Sequence, residues 1–470
     1  MELIQLNIYE IYMKQLFLLS VLLLFSGCSV AQMYQPDKYV KYTDIPVQQK
    51  DFLDSLQKQT FLFFIEELNP ENGLVKDRSA DWAPASMAST GFAVPIWALG
   101  AEKGWITKEF AEKTTLNLIN FLLNSEQSAA ADATGYKGFY YHFLDMKTGK
   151  REWKSELSTI DSGLLFAGLI FARNYYTDNN PTHTAIRDGI TKILDRADWD
   201  FFTINNPESK YYNGLSMGWH PETGQIDHCW WGYNEAIVIF LMAAGANSKD
   251  HVKIYDRWLR DYEWHAPYPG LDHYIFPPLF GHHYSHMFVD FRGIYDIKLR
   301  EKGIDYWENT RRATYTQQFY AMENPKKWVG YDEFTWGFSA CDGPGEKFNK
   351  DGYKFLDYSA RGFAKKGDNW NEDGTIAPTA AGGSIPFAPE IAIPTLMNLK
   401  YKYGETGLWT KYGFQDSFNP TAGWTASDRI GIDQGPIVLM IENYKNNFVW
   451  KYFMTDKLII NGLQRLGFDK

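Results

Sequence analysis

Apolar residues recur at helical spacing along almost the whole chain, and no comparable strand-period run joins them into a sheet. The runs lie near Asp51 to Leu68, Ser89 to Lys103, Lys108 to Ser125, Thr159 to Tyr176, Thr182 to Ala197, Trp231 to Ala246, Val252 to Leu259, Phe280 to Phe291, Ile304 to Met322, Pro389 to Tyr403, Gln434 to Asn446 and Trp450 to Leu466. This predicts about a dozen helices, most of them separated by long loops rich in glycine and aromatic residues. Short strand-like pieces, Gly138 to Leu144 and Tyr211 to His220, fall between them and read as hairpins on loops. An all-α (α/α)6 toroid suits the pattern, with the inner helix ends and the loops of one face around a central cavity. The chain of 470 residues could hold two or three average domains. No Pro/Ser-rich linker or charge block divides it, so one large domain over residues 49–470 is expected.

The N-terminus reads as an address. Met13-Lys14 opens a short apolar run that ends in small residues before Cys28, the order of a secretory signal. Phe25-Ser26-Gly27-Cys28 resembles a bacterial lipobox, with Phe25 in place of the usual Leu, and marks Cys28 for lipidation. Residues 1–12 carry Glu2 and Glu10, which makes Met13 the expected start. The apolar run is short for a span, so residues 1–28 are expected to be a signal and 29–48 a tether, anchoring the chain to the bacterial cell envelope. Beyond Cys28 only Cys229 and Cys341 remain, with neither metal-ligand spacing nor a disulfide framework, and both are expected as small buried residues.

Net charge is −10, with both signs interspersed. No basic stripe marks a nucleic-acid surface, a polyanionic substrate is disfavoured, and a neutral glycan fits. Aromatic residues make up 17% of the chain, and their flat faces suit sugar rings as well as cores. Trp82, Trp153, Trp219, Trp336, Trp370 and Trp424 stand in Gly- and Asp-rich loop segments, where binding residues concentrate. A monomer is expected.

Glu235 stands out because it sits in the apolar stretch Cys229 to Gly245. At helical spacing it shares a face with Trp231 and neighbours Val238 and Ile239, where a carboxyl titrates high and can serve as a general acid. The plainer alternative is a buried Glu paired with an Arg or capping a loop. Glycoside hydrolysis needs a second, ionised carboxyl. Asp433, at the mouth of an apolar helix, is the first candidate, because amides and helix dipole there favour charge; a plain N-cap is the competing reading. Asp161 reads first as part of a capping box with Ser158, and with Glu156 and Trp153 on the same loop it also suits a supporting site role.

Other chemistries lack support. His282 and His286 have i, i+4 metal spacing but no glutamate follows the first, so hydrogen bonding to sugar is the better reading of His286. Asn369 to Gly374 starts like a calcium loop, but its twelfth position is Ala380. No phosphate loop, dinucleotide fingerprint or nucleophile elbow is present, and neither metal nor cofactor is expected.

Several segments together resemble the glycoamylase-like family of bacterial glycoside hydrolases, family 144. They are Trp231-Gly-Tyr-Asn-Glu-Ala236, Pro278 to His286, Trp336 to Pro344, Asp373 to Ala380, Pro389-Glu390 and Gly431 to Tyr444. The resemblance covers about residues 50–466 and implies an (α/α)6 barrel that hydrolyses β-1,2-glucan with inversion, without metal or cofactor. Carried over by motif, it implies Glu235 as the acid, with Asp433 and Asp161 in matching acidic motifs. It makes Asp342 and Glu390 candidate substrate contacts beside Glu156, Trp153, Trp231, His286, Trp336 and Trp424. Cys341 and the following Gly345-Glu346 depart from the family pattern at one end of the cleft, which leaves endo against exo action open. Hydrolysis of another neutral β-glucan, or glycan binding by a catalytically dead lipoprotein, are the competing readings.

Overall fold

Six helices run side by side and close into a ring. The computed structural model describes residues 34, 39–365, 367 and 370–469, so the signal, Cys28, most of the tether and Asn369 lie outside the described residues. The ring consists of α1 (Met87–Glu102), α2 (Thr159–Tyr175), α3 (Ile237–Gly245), α4 (Phe280–Phe288), α5 (Pro378–Ser384) and α6 (Gly431–Asn446). Each packs on the next, and α6 packs back on α1. Helices Val47–Phe61, Lys108–Asn124, Pro181–Asp195, His251–Arg260, Tyr306–Glu323 and Pro389–Tyr403 alternate with these along the chain and form the outer layer. The expected (α/α)6 toroid is the fold. Strands are two or three residues long, and no sheet among the described residues exceeds three strands.

Inner helices are covered on every side. In α1, every residue from Met87 to Gly100 is buried, so an amphipathic stripe is not what positions it. Close approach does that: a Cβ on Gly91 would meet the Leu164 carbonyl oxygen at 2.4 Å, and one on Gly168 would meet the Gly91 oxygen at 2.0 Å. The core has two apolar clusters, one around α1 to α4 and one around α5 with the outer helices 306–323 and 389–403. Residues of α6 contribute to both.

Helix α5 is absent from the sequence expectation. Pro-Thr-Ala-Ala-Gly-Gly-Ser offers no apolar period, because it is squeezed between α4 and α6. A Cβ on Gly383 would meet the His283 ring at 2.3 Å, and one on Gly382 would meet Ile437 at 2.7 Å. The run Trp450 to Leu466 divides into Phe448–Phe453 and Lys457–Arg465, with the Asp456 side chain capping the second.

Short ladders stitch the N-terminal ends of the ring together. Ala85–Ser86, leading into α1, pairs with Phe143–Leu144; Leu157–Ser158, leading into α2, pairs with Gly218–His220. Bridges from Arg78 to Ile430 and from Ile376 to Phe418 tie down the approaches to α6 and α5. Polar side chains on the first turns of the inner helices therefore gather on one face.

Candidate active site

Glu235 sits in the turn that leads into α3, not on the helix itself. Gly232 takes φ +69°, which only a residue without a Cβ adopts readily, and the helix starts at Ile237. This breaks the helical face expected for Trp231 and Glu235: Trp231 is half exposed while the Glu235 side chain is buried. The Ser285 hydroxyl of α4 donates to the Glu235 carbonyl at 2.5 Å and so fixes the turn. Oε2 of Glu235 has no hydrogen-bond partner among the described residues. Among the described residues no arginine pairs with Glu235, and its side chain caps no helix or loop. Burial, with a smaller push from the Asp161 charge, raises its pKa to about 7. Beside it lies a cavity of about 460 Å³ whose walls include Trp230, Trp231, Phe276, Phe280 and Trp370. A smaller cavity, about 190 Å³, opens at the opposite end of α1 and α2 near Glu102, Tyr175 and His183. Glu235, Asp161 and Asp433 are not among the residues that line it.

Asp161 is the third residue of α2. The Ser158 hydroxyl accepts from its backbone amide at 3.1 Å and donates to its Oδ2 at 2.6 Å, so the capping geometry is present. Its other oxygen faces His142, which sequence reasoning passed over as part of a hairpin strand. Nε2 of His142 lies 3.4 Å from Asp161 Oδ1, and Nδ1 lies 3.0 Å from Glu156 Oε1. Burial opposes protonation of His142, but Asp161, Glu156 and Asp77 outweigh it and raise the pKa to about 9. His142 is therefore an imidazolium near neutral pH, held between the Glu156 and Asp161 carboxyls. Burial also works against charge on Glu156, yet His142 holds its pKa below the ordinary value. For Asp161 burial wins and the pKa is raised.

Asp433 departs from expectation. It stands in the first turn of α6 with no N-cap side chain beneath it, but the helix end does not hold it ionised. Burial, followed by the neighbouring charge of Asp416, pushes its pKa well above the usual carboxylate range. Neither of its oxygens receives a hydrogen bond from an N–H or hydroxyl among the described residues. Asp342, close by, donates its backbone amide to Asp416 at 2.7 Å and pairs with Arg78 at 2.9 Å. Burial, followed by the charges of Asp433, Tyr358, Glu235 and Asp161, raises the pKa of the Tyr284 hydroxyl well above its ordinary value.

Trp153 is about half exposed with φ +54°, and packs at 5.8 Å on the exposed Trp82 and at 4.8 Å on Phe143. Phe143 in turn stacks on His142 at 3.8 Å. These rings form an aromatic shelf leading to the imidazolium. Trp424 is half-buried on the hairpin paired with Asn419 and lines neither cavity.

Three expected contacts belong to the core or to the opposite end instead. His286 is 1% exposed between Phe291 and Phe387, with Nε2 3.2 Å from the Thr310 hydroxyl. Its helical spacing from His282 reflects packing, and burial drops its pKa to about 3. Trp336 is wholly buried in the second apolar cluster. Glu390 opens an outer helix, whose direction opposes that of the ring. There it takes the Arg311 guanidinium at 2.6 Å and the Tyr315 hydroxyl at 2.5 Å.

The family profile described as “Glycoamylase: Putative glucoamylase” matches residues 227–457. A solved structure of the same description from Bacteroides uniformis is 31% identical, covers 91% of this chain and 99% of its own, and superposes with a TM-score of 0.76. The chain belongs to the glycoamylase-like family. An endo-β-1,2-glucanase structure from Chitinophaga pinensis, 24% identical, shares the fold with a TM-score of 0.76 over 90% of this chain and 99% of that one. An exo β-1,2-glucooligosaccharide sophorohydrolase (non-reducing end) from Parabacteroides distasonis is 27% identical over 461 residues, 91% of this chain. The chain spans 59% of the length of that relative.

Proposed function

We propose that the chain is a glycoside hydrolase of family 144 that cleaves β-1,2-glucan with inversion, either at internal linkages or by releasing sophorose from a chain end. The observation that carries this reading is Glu235: a buried carboxyl with a free oxygen and a pKa of about 7, on the wall of an aromatic cavity. Such a group is a proton donor near neutral pH, suited to protonating the departing glycosidic oxygen. Asp433 takes the part of the base that activates water on the other side of the sugar. Asp161, Glu156 and Asp342 hold hydroxyls nearby, and the shelf of Trp82 and Trp153 takes a sugar face. The likeness to the Parabacteroides sophorohydrolase supports the β-1,2 linkage. A glycan-binding protein without chemistry has no use for an acid kept protonated at such cost.

The proposal extends to a single catalytic unit over residues 49–470, acting as a monomer held to the cell envelope by a lipid on Cys28. Reducing-sugar release from a panel of linear glucans is the test. Release from β-1,2-glucan and from no other linkage is the expected result, and product length separates the two cleavage modes. Appearance of the α-anomer first in a proton NMR time course reports inversion. Activity confined to another linkage, or retention of the β-anomer, overturns the reading.

A further inference from the structure

Arg78 stands in the loop before α1, and its guanidinium serves carboxyls on three loops of the mouth. Nε donates to Asp77 Oδ2 at 3.2 Å, and Nη1 donates to the two oxygens of Asp342 at 2.9 and 3.2 Å. Asp428 lies 3.8 Å from the same Nη1. The Cζ atom stands 5.8 Å from the centre of the Trp82 ring, within cation–π range, so the outer ring of the shelf packs on the same cation. The Arg78 and Asp342 side chains are 17% and 19% exposed, and solvent ions screen such a partly buried pair less than one on the surface.

The main chain on both sides of this contact is pinned. Arg78 bridges to Ile430 in the approach to α6, where the Ser79 amide donates to the Arg429 carbonyl at 3.0 Å and the Gly431 amide to the Asp77 carbonyl at 2.7 Å. Across the mouth, the Asp342 amide donates to Asp416 Oδ2 at 2.7 Å, and the Asp342 carbonyl accepts from the Ser417 hydroxyl at 2.7 Å. Only the side-chain torsions of Asp342 are left to settle. Among the described residues, its carboxyl oxygens accept from Arg78 alone.

We infer that Arg78 is a positioning residue of this enzyme, which holds the Asp342 carboxylate as a fixed acceptor for a sugar hydroxyl. This deepens the hydrolase reading above and rests on it. Each carboxylate oxygen has a second lone pair once Arg78 has taken the first, so Asp342 can hold the sugar while Arg78 holds Asp342. Without the cation, Asp342 would share the mouth with Asp77 and Asp428, like charges that push it away. An acceptor already fixed in place spares the cost of ordering it when the glucan binds. The planar fork of arginine matters as much as its charge, because the point charge of a lysine cannot donate to Asp77 and to both oxygens of Asp342 in these directions.

Steady-state kinetics on β-1,2-glucan across the cycle of Arg78→Gln, Asp342→Asn and the double variant provide the test. Each single variant should raise KM roughly tenfold, the scale of one lost hydrogen bond to a charged group, with kcat within about threefold of the wild type. The double variant should raise KM no further, because Arg78 acts through Asp342. Arg78→Lys should recover little of the loss. A merely structural arginine would lower the urea midpoint and leave KM alone. Wild-type KM in Arg78→Gln, effects that multiply in the double variant, or full recovery in Arg78→Lys overturns the proposal. Arg78→Lys, which keeps the charge, closes the same cycle if Arg78→Gln does not fold. Dissociation constants of a β-1,2-linked glucooligosaccharide, measured with each variant in the Glu235→Gln background, repeat the cycle without turnover. A chain that binds the oligosaccharide but cleaves no glucan sinks the hydrolase reading, while this binding cycle still decides Arg78.

Discussion

Asp373 and Asp433 are both nearly out of reach of water, at 4% and 1% exposure, yet they are surrounded in opposite ways. Asp373 meets Arg361 through two hydrogen bonds of 2.8 and 3.0 Å and accepts further from the amides of Leu356 and Thr375. Arg361 spends its remaining donors on the carbonyls of Cys341, Leu356, Asp357 and Ser359. Every charge in that hub is matched, and the loop carrying Asp342 hangs from it. Asp433 lies in the field of another carboxyl, Asp416, and has no donor from an N–H or hydroxyl among the described residues. Burial of an acid therefore says little about its use. What separates a structural acid from a functional one is whether the fold supplies its hydrogen-bond partners.

The sharpest way to break that contrast is to unpair the matched hub. Arg361→Met should cost about 3–5 kcal/mol of stability by leaving Asp373 buried without its cation, read as a lowered urea midpoint. A variant as stable as the wild type would mean that Asp373 is no more committed to the fold than Asp433. Next in size, Glu235→Gln should fold normally and lose at least ~10²-fold in kcat, the usual scale for a general acid. In the wild type, activity should fall as pH rises through about 7, where Glu235 loses its proton, and this limb should be missing from the residual activity of the variant.

Stability falls over the same rise in pH. The folded pKa of Glu235 is raised from 4.5 to about 7, so the folded state holds a proton that the unfolded chain has lost between those values. Wild-type stability therefore falls as pH climbs through that window. Glu235→Gln should match the wild type below it and exceed it above pH 7 by up to about 3 kcal/mol. Equal stabilities at pH 8 would place the carboxyl in a better-solvated setting than the structure does.

Smaller effects test the shelf and the imidazolium. Trp153→Ala should raise KM about tenfold and leave kcat nearly alone, as expected for uniform binding; a kcat effect would assign Trp153 to the transition state. His142, Glu156 and Asp161 offer ligand atoms all within 4.8 Å of one another, yet a proton on His142 fills the role a metal would have. Dialysis against EDTA should leave the rate unchanged, and loss restored by added Zn²⁺ or Ca²⁺ would identify the three as ligands.

The toroid and Glu235 were legible in the chain for a simple reason. Helix period is a local property, and an acid among Val238, Ile239 and their neighbours is conspicuous in one dimension. Asp161, with its capping partner Ser158, was legible for the same reason. Only the tertiary structure decided which other polar residues join them. His142 lies in the bend just before the strand Phe143–Leu144, Asp416 beside a hairpin and Arg78 in the loop before α1, and no spacing in sequence links them to α2 or α6. His286 and Trp336 look like sugar contacts until their neighbours are known, because neither a helical run nor a loop-like context says which side of a chain faces the cavity. Helix α5 escaped notice because glycines that let helices touch leave no apolar pattern. The sequence alone determined the inner and outer helices other than α5, and which acid lies in apolar surroundings. Closure of the ring determined which acids receive hydrogen-bond donors and which do not, since it brings together loops that are separate in sequence, as where the Asp342 amide reaches Asp416.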